Sequence, residues 1–296
     1  MRRRISCTTH ARFLFLPFHR SSGLFTSVSV GSDYDAACGV RTDQTIACWN
    51  SSHLQLTPPA GSFTAVSTKH GIACAVKTDS TIVCWGDNYA GQTAPPAGTF
   101  TAVSVGWDIV CAVRTDGTIV CWGDNTSFRS APPSGTFTSI SAEAGFACGV
   151  KADGSLACWG DGAPASVPAG TFASFSVGYP MMCGLKRDGT VDCFSAGDPM
   201  WCDVKSEGTI DCGFPTPGGT FISVSAGVSI ACGVKTAGSL ACWGALDSTG
   251  LPQGTFTSVS VGEGGCACAV KTDGNLSCWD FGAGGGGGGW GGNEGQ

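Results

Sequence analysis

One motif recurs along the chain and constrains it more than any other feature. CAVRTDGTIVCWGDN at 111–125 has counterparts in CAVKTDSTIVCWGDN (74–88), CGVKADGSLACWGDG (148–162), CGVKTAGSLACWG (232–244) and CAVKTDGNLSCWD (268–280). Anchors of the form Phe-x-x-Val-Ser, with small variations, stand at Phe25, Phe63, Phe100, Phe137, Phe172, Phe221 and Phe256. They are spaced 35 to 38 residues apart except across the longer interval from Phe172 to Phe221. A fixed period of this length decides the architecture before any single residue does. Each unit reads as a strand (FTAVSVG), a variable loop, a hairpin (CAVRTDGTIVCWG) and a polar connector usually ending in Pro-Pro or Pro-x-Gly. Short strands divided by Gly, Asp and Pro predict an all-β fold, a seven-bladed β-propeller of short antiparallel blades.

Composition agrees. With 46 Gly and only 13% charged residues, the chain suits tight turns on a short-stranded framework, and 42% hydrophobic residues over 296 positions are enough for a substantial core. The net charge of -6 offers no basic stripe for a phosphate backbone, so nucleic acid is not expected as a partner. No apolar run approaches the roughly 18 residues of a membrane-spanning helix. Residues 1–23, which begin MRRRISCTTHARFLFLPFHR, read as a leader, either a degenerate signal peptide or a disordered segment, because Arg12, Pro17 and His19 interrupt the apolar stretch. Residues 24–280 hold the propeller, and the Gly-rich 281–296 read as a flexible tail.

The hairpin has a definite expected register. With Thr115, Asp116 and Gly117 as a three-residue loop and Gly117 left-handed, Arg114 faces Thr118, Val113 faces Ile119, and Cys111 faces Cys121. A two-residue turn would instead send the two cysteines to opposite faces. The basic residue beside each turn (Arg41, Lys77, Arg114, Lys151, Lys186, Lys205, Lys235, Lys271) reads as a solvated corner, with a shared anion site as the sharper alternative.

Sixteen of the 18 cysteines fall into pairs with this spacing: Cys38/Cys48, Cys74/Cys84, Cys111/Cys121, Cys148/Cys158, Cys183/Cys193, Cys202/Cys212, Cys232/Cys242 and Cys268/Cys278. Regular pairing points to disulfides and an oxidising compartment. The alternative is a set of small buried hydrophobes. Zinc lacks the close ligand spacing of a structural site. Cys7 and Cys266 are left over, with Cys266 a candidate free thiol. Six tryptophans follow the second cysteine (Trp49, Trp85, Trp122, Trp159, Trp243, Trp279) and read as blade-to-blade packing.

The stretch from Phe63 to Phe100, F-x-x-V-S, then C-A-V-K-T-D-S-T-I-V-C-W-G-D-N, then G-Q and P-P, resembles the regulator-of-chromosome-condensation repeat superfamily. Its short period is similar to the branch containing type II β-lactamase-inhibitory proteins and plant Crinkly-type receptor ectodomains. The resemblance implies a seven-bladed propeller. It implies no single activity, since members serve as exchange factors, inhibitors, receptor ectodomains and scaffolds. The chain departs from the pattern between Cys193 and Gly197, where about half a repeat is missing before DPMWCDVKSEGTIDC, leaving eight hairpins for seven Phe anchors.

No catalytic or metal-binding motif accompanies the repeat. His-Glu-x-x-His, Gly-x-x-x-x-Gly-Lys, Gly-x-Ser-x-Gly and Ca-loop spacings are absent, and His10, His19, His53 and His70 occupy unrelated positions. The expectation is therefore a non-enzyme without catalytic residues, cofactor or metal, monomeric, binding a protein partner. The stretches before each first hairpin cysteine vary freely and must emerge on one rim. Asp33, Tyr34, His70, Trp107, Asp108, Phe146, Tyr179, Met181, Met200 and Trp201 lie there as candidate contacts, with the connectors near Asn88 and Phe128 expected on the opposite face. Asn50, Asn125 and Asn275 begin glycosylation sequons. A secreted or cell-surface recognition or inhibitor module is the leading expectation. The alternatives are a cytoplasmic exchange factor or scaffold for a small GTPase, and a fragment of a receptor ectodomain.

Overall fold

The structure, a computed structural model, describes residues 23–31, 36–49, 56–124, 131–164, 166–178, 181–195, 203–204, 210–211, 216–244, 250–263 and 265–281. Seven three-stranded antiparallel sheets follow one another. Blade 1 is β1 (Phe25–Val30), β2 (Ala37–Arg41) and β3 (Ile46–Trp49); blade 2 is β4 (Phe63–Lys69), β5 (Ile72–Lys77) and β6 (Ile82–Gly86); blade 3 is β7 (Phe100–Val105), β8 (Ile109–Arg114) and β9 (Ile119–Gly123). Blade 4 is β10 (Phe137–Ala142), β11 (Phe146–Lys151) and β12 (Leu156–Gly160); blade 5 is β13 (Phe172–Val177), β14 (Met181–Lys186) and β15 (Val191–Ser195). After the separate pair β16 (Asp203–Val204) and β17 (Ile210–Asp211), blade 6 is β18 (Phe221–Ala226), β19 (Ile230–Lys235) and β20 (Leu240–Gly244). Blade 7 is β21 (Phe256–Val261), β22 (Cys266–Lys271) and β23 (Leu276–Asp280). Among the described residues, the eighth hairpin's strands β16 and β17 pair with each other and not with a blade, between blades 5 and 6 in the chain.

Two closed rings of hydrogen bonds weld the blades. At one end, each anchor Phe donates its N–H to the turn of the preceding blade. Phe63 reaches Gln44 O, Phe137 reaches Gly117 O, and Phe25 of the first blade reaches Gly274 O of the last, all within 2.7–2.8 Å. Along the axis, the Val-Ser serine accepts from the next blade's backbone. Ser67 Oγ takes Val105 N–H, Ser104 takes Ala142, and Ser260 takes Val30 across the closure, at 2.9–3.0 Å. Seven first strands therefore line a central channel.

The middle strands are apolar at nearly every position because blades cover both of their faces; in β5, Ile72 to Val76 are all buried. Side-chain size alternates with the neighbour. Gly149 lies under Phe137, where a Cβ would meet ring carbon Cδ1 at 2.7 Å, and all seven anchor phenylalanines are 1–3% exposed. Trp159, Trp243 and Trp279 are buried, and each packs on the preceding blade, Trp159 against Cys111 and Cys121. Trp49, Trp85 and Trp122 are only half-buried. The blade-to-blade packing expected of the tryptophans is thus complete in three described copies and partial in the other three.

The turn register is as the spacing requires. Arg114 N–H donates to Thr118 O at 2.7 Å, Val113 pairs with Ile119, and Gly117 has φ 86°. Asp116 Oδ1 accepts from the Thr118 N–H (2.8 Å) and hydroxyl (2.7 Å), bonds that hold its carboxyl below the usual range. The corner cations lie over anchor rings: Arg114 sits 5.2 Å from the Phe100 centroid and Lys235 5.9 Å from that of Phe221.

Among the described residues, seven disulfides close the hairpins: Cys38–Cys48, Cys74–Cys84, Cys111–Cys121, Cys148–Cys158, Cys183–Cys193, Cys232–Cys242 and Cys268–Cys278. Their Cα separations of 4.0–4.1 Å belong to directly opposed, non-hydrogen-bonded strand residues. The alternative reading of the cysteines as small buried hydrophobes is corrected on two counts. They are bonded, and the two members of a pair differ in burial. The first cysteine, on a middle strand between two blades, is buried in every pair. Cys48, Cys84, Cys158, Cys193, Cys242 and Cys278 are only half-buried, because the outer strand that carries each has one edge without a neighbour; Cys121 alone of the second cysteines is buried. Cys202 and Cys212 lie outside the described residues, as does Cys7. Cys266 is not a free thiol as expected; it too is disulfide-bonded.

Candidate functional site

In blades 2, 3, 4 and 6 the first and second strands meet at one end of the disc in very short tips. In blade 2 the tip is His70-Gly71, both left-handed (φ 45° and 71°), with Lys69 paired to Ile72. In blades 3, 4 and 6 the residue before the tip donates to a carbonyl three residues on, as from Gly106 to Ile109 O, Glu143 to Phe146 O and Gly227 to Ile230 O. Much of what reads as variable loop in the sequence is therefore strand. Phe146 and Met181 open β11 and β14 and are 1% and 4% exposed, so these two rim candidates belong to the core. Asp33, Tyr34, Tyr179, Met200 and Trp201 lie outside the described residues, as do Asn50 and Asn125. Asn275 is exposed beside a turn.

Inside the tips, the position that is Gly in five blades (Gly31, Gly106, Gly178, Gly227, Gly262) is Lys69 in blade 2 and Glu143 in blade 4. Glycine suits it because successive blades converge there: a Cβ on Gly262 would stand 2.3 Å from Gly31 O. Lys69 and Glu143 instead reach over the channel mouth. The Lys69 ammonium pairs with Glu143 Oε2 and, at 2.7 Å, with Glu263 Oε1 of blade 7. Glu143 is 2% exposed. Burial pushes its carboxyl up despite the lysine, and Glu263 adds to the rise. Glu263 is also desolvated, yet its contacts with His70 and Lys69 outweigh burial and hold its carboxyl well below the usual range. Beneath this lid the channel is a small polar cavity of about 130 Å³ ringed by serines such as Ser29, Ser67 and Ser141.

The ion cluster also positions an aromatic wall. His70 Nε2 is 3.7 Å from Glu263 Oε2, and its ring stacks on Trp107 of the neighbouring blade, centroids 4.4 Å apart and 15° from parallel. Trp107 remains 51% exposed. Tyr89, 62% exposed, donates its hydroxyl to Trp107 O at 2.6 Å. Burial of its hydroxyl, then the charge of Asp108, raises the phenol above its ordinary range, with smaller contributions from Asp87 and Asp124. Between these aromatics and blade 4 runs a groove of about 700 Å³, with Asp108, Asp124 and Asp161 in its lining.

The structure places His70, Trp107 and Asp108 of the expected rim residues together at this end of the disc. It adds Tyr89, Lys69, Glu143, Glu263, Asp124 and Asp161. Tyr89, Asp124 and Asp161 lie in connectors, which begin at the same end as the tips: Asp87 N–H donates to Gly71 O and Asp124 N–H to Asp108 O. The start of the connectors, Asn88 included, is accordingly on the tip face and not opposite to it. Phe128 lies outside the described residues. One sequence signal was available: Lys69 and Glu143 interrupt a run of glycines at a single register.

Comparison with known proteins fits this geometry. A family model described as the regulator of chromosome condensation (RCC1) repeat matches residues 100–129, one unit of the repeat. A search of curated proteins finds no sequence match. Among solved structures, the ectodomain of the Physcomitrella patens receptor kinase CR4 superposes with a TM-score of 0.71 at 22% identity, over 88% of this chain and 74% of that one. The Crinkly WD40 ectodomain of the Arabidopsis thaliana receptor kinase ACR4 gives 0.69 at 23%, over 88% and 98%. Prp20p of Saccharomyces cerevisiae gives 0.64 at 11%, over 81% and 80%. These likenesses show the fold, a seven-bladed propeller.

Proposed function

We propose that the chain is a non-catalytic protein-binding module of the secreted recognition or inhibitor type, which uses the tip face of a rigid propeller. The observation that carries this reading is the pair Tyr89 and Trp107, large aromatics held half-exposed by a hydrogen bond and a stacked histidine on a frame that does not need them for closure. Exposed aromatics on such a frame have the composition of interaction hot spots. The seven hairpin disulfides among the described residues support an oxidising compartment, as do the two receptor ectodomains of like fold. A glycan on Asn275 in a eukaryotic source would add to that support. The work on Prp20p describes its binding to Gsp1p and histones, so this architecture serves protein recognition in that case as well.

The test is capture of a partner by the intact protein and by a Tyr89→Ala/Trp107→Ala variant, with melting temperatures measured in parallel. The expected result is a protein retained by the parent and lost by a variant that still melts normally, each aromatic contributing about 2 kcal/mol to binding. Equal retention by both forms would overturn the reading.

A further inference from the structure

The Trp107 backbone and the Trp107 ring are held by different means. Gly106 N–H on Ile109 O and the Tyr89 hydroxyl on Trp107 O fix the backbone. Among the described residues one ring lies against the indole, that of His70, stacked nearly parallel at 4.4 Å. His70 is placed by the tip of blade 2, where its backbone is left-handed (φ 45°), a conformation histidine enters more readily than most residues with a Cβ. Its side chain is 12% exposed, and its Nε2 is buried without a hydrogen-bond partner, 3.7 Å from Glu263 Oε2.

The charges around this imidazole favour one more proton. Glu263 of blade 7 and Lys69 of its own blade face it, Glu143 of blade 4 reaches it through Lys69, and Asp108 and the Tyr89 phenol flank Trp107. Two carboxylates thus share the single ammonium of Lys69. Glu263 is desolvated, yet its contacts with His70 and Lys69 keep it ionised, and burial keeps the Tyr89 phenol neutral. An imidazolium at this place meets a carboxylate at its edge and the negative π-face of the indole at its face; a neutral ring has only the stacking contact.

We propose that His70 is a proton-operated positioning residue for Trp107, which clamps the indole as the imidazolium and releases it as the neutral ring. The proposal rests on the tip-face reading above and adds its regulation. An indole already fixed loses less side-chain freedom on docking, so a partner that uses Trp107 is held more tightly in mildly acid solution.

The experiment measures the NMR order parameter of the Trp107 indole N–H in the intact protein, its signal identified by its absence from Trp107→Phe. Between about pH 5 and about pH 8 the order parameter should fall by about 0.2. His70→Phe keeps a ring for stacking and cannot take the proton, so the fall should vanish; His70→Asn, suited to the left-handed backbone, repeats the test should the phenylalanine variant fail to fold. Glu143, whose carboxyl burial pushes up, is the competing proton site, and Glu143→Gln should retain the fall. An order parameter equal at both pH values overturns the proposal. So does a fall that survives His70→Phe or His70→Asn, or one that Glu143→Gln abolishes. None of these measurements needs a partner, so their failure leaves the tip-face reading intact, whereas equal capture by Tyr89→Ala/Trp107→Ala overturns that reading and leaves the clamp.

Discussion

Gln44 and Ser80 occupy the turn position that is Gly117, Gly154, Gly189, Gly238 or Gly274 in the other blades, and hold φ of 68° and 67° there. Side chains with a Cβ are strained in this region, and the surrounding turn imposes it because the same residue's carbonyl receives the next anchor's N–H, as Gln44 O does from Phe63. Gln44→Gly and Ser80→Gly should each raise stability by about 0.5–1 kcal/mol, since relief of strain exceeds the added freedom of the unfolded chain. Urea denaturation checks this, and a loss would show that these side chains contribute contacts beyond their backbone. Turn residues were legible in the sequence because the chemistry is local: Asp116 accepts from a residue two positions on, whatever the rest of the molecule does. Exposure of Trp122 against burial of Trp159 was not, since both follow the same cysteine and differ only in what covers the ring.

The hairpin is the element that carries the repeat. Its disulfide joins residues that already face each other, so it chiefly limits the unfolded chain. Removing it as Cys111→Ala/Cys121→Ala should cost at most about 3 kcal/mol, the chain-entropy value for so short a loop together with small packing losses. The outer strand β9 should stay paired to β8, since Ala112–Val120 and Val113–Ile119 remain in register. Hydrogen exchange at Val120, whose pair with Ala112 is a hydrogen-bonded one, separates the two outcomes: retained protection supports this division of roles, and its loss would make the bridge responsible for the strand itself. The pairing was readable from loop length, because the side-chain period of a strand allows only one turn that puts both cysteines on one face. The unequal burial within a pair, as of Cys74 against Cys84 or Cys148 against Cys158, was not, since it depends on which strand ends up outermost. Strand limits at the tips were also less readable. Phe146 and Met181 vary between units as loop residues do, yet lie under neighbouring blades.

Across the whole molecule, Lys69, Glu143 and Glu263 tie blades 2, 4 and 7 together over the channel. Lys69→Met leaves Glu143 buried without its counter-charge, a change expected to cost about 3 kcal/mol near neutral pH. The pH dependence has a definite sign. Glu143 titrates above the ordinary glutamate value of 4.5 in the folded state, and loss of the lysine raises it further. Its penalty is therefore small at and below that value and grows as pH rises through the folded value. Melting temperatures of Lys69→Met and of Lys69→Met/Glu143→Gln should accordingly converge in acid and separate toward neutrality, the double variant being the more stable. A constant gap across pH would mean that Glu143 binds its proton equally well in the folded and unfolded states, so that burial does not disfavour its charge.

The sequence by itself determined the number of anchors, the hairpin register, the cysteine pairing of the described blades and the closed seven-fold plan, because each follows from short-range periodicity repeated at a constant interval. The tertiary structure alone decided three things. It set the eighth hairpin apart as its own two-stranded sheet, and it turned the connector starts onto the tip face beside Trp107. It also drew Lys69, Glu143 and Glu263, up to 194 positions apart in the chain, onto one side of a polar channel. Such groupings depend on where blades stand around the ring, and no local pattern encodes that until the ring is closed.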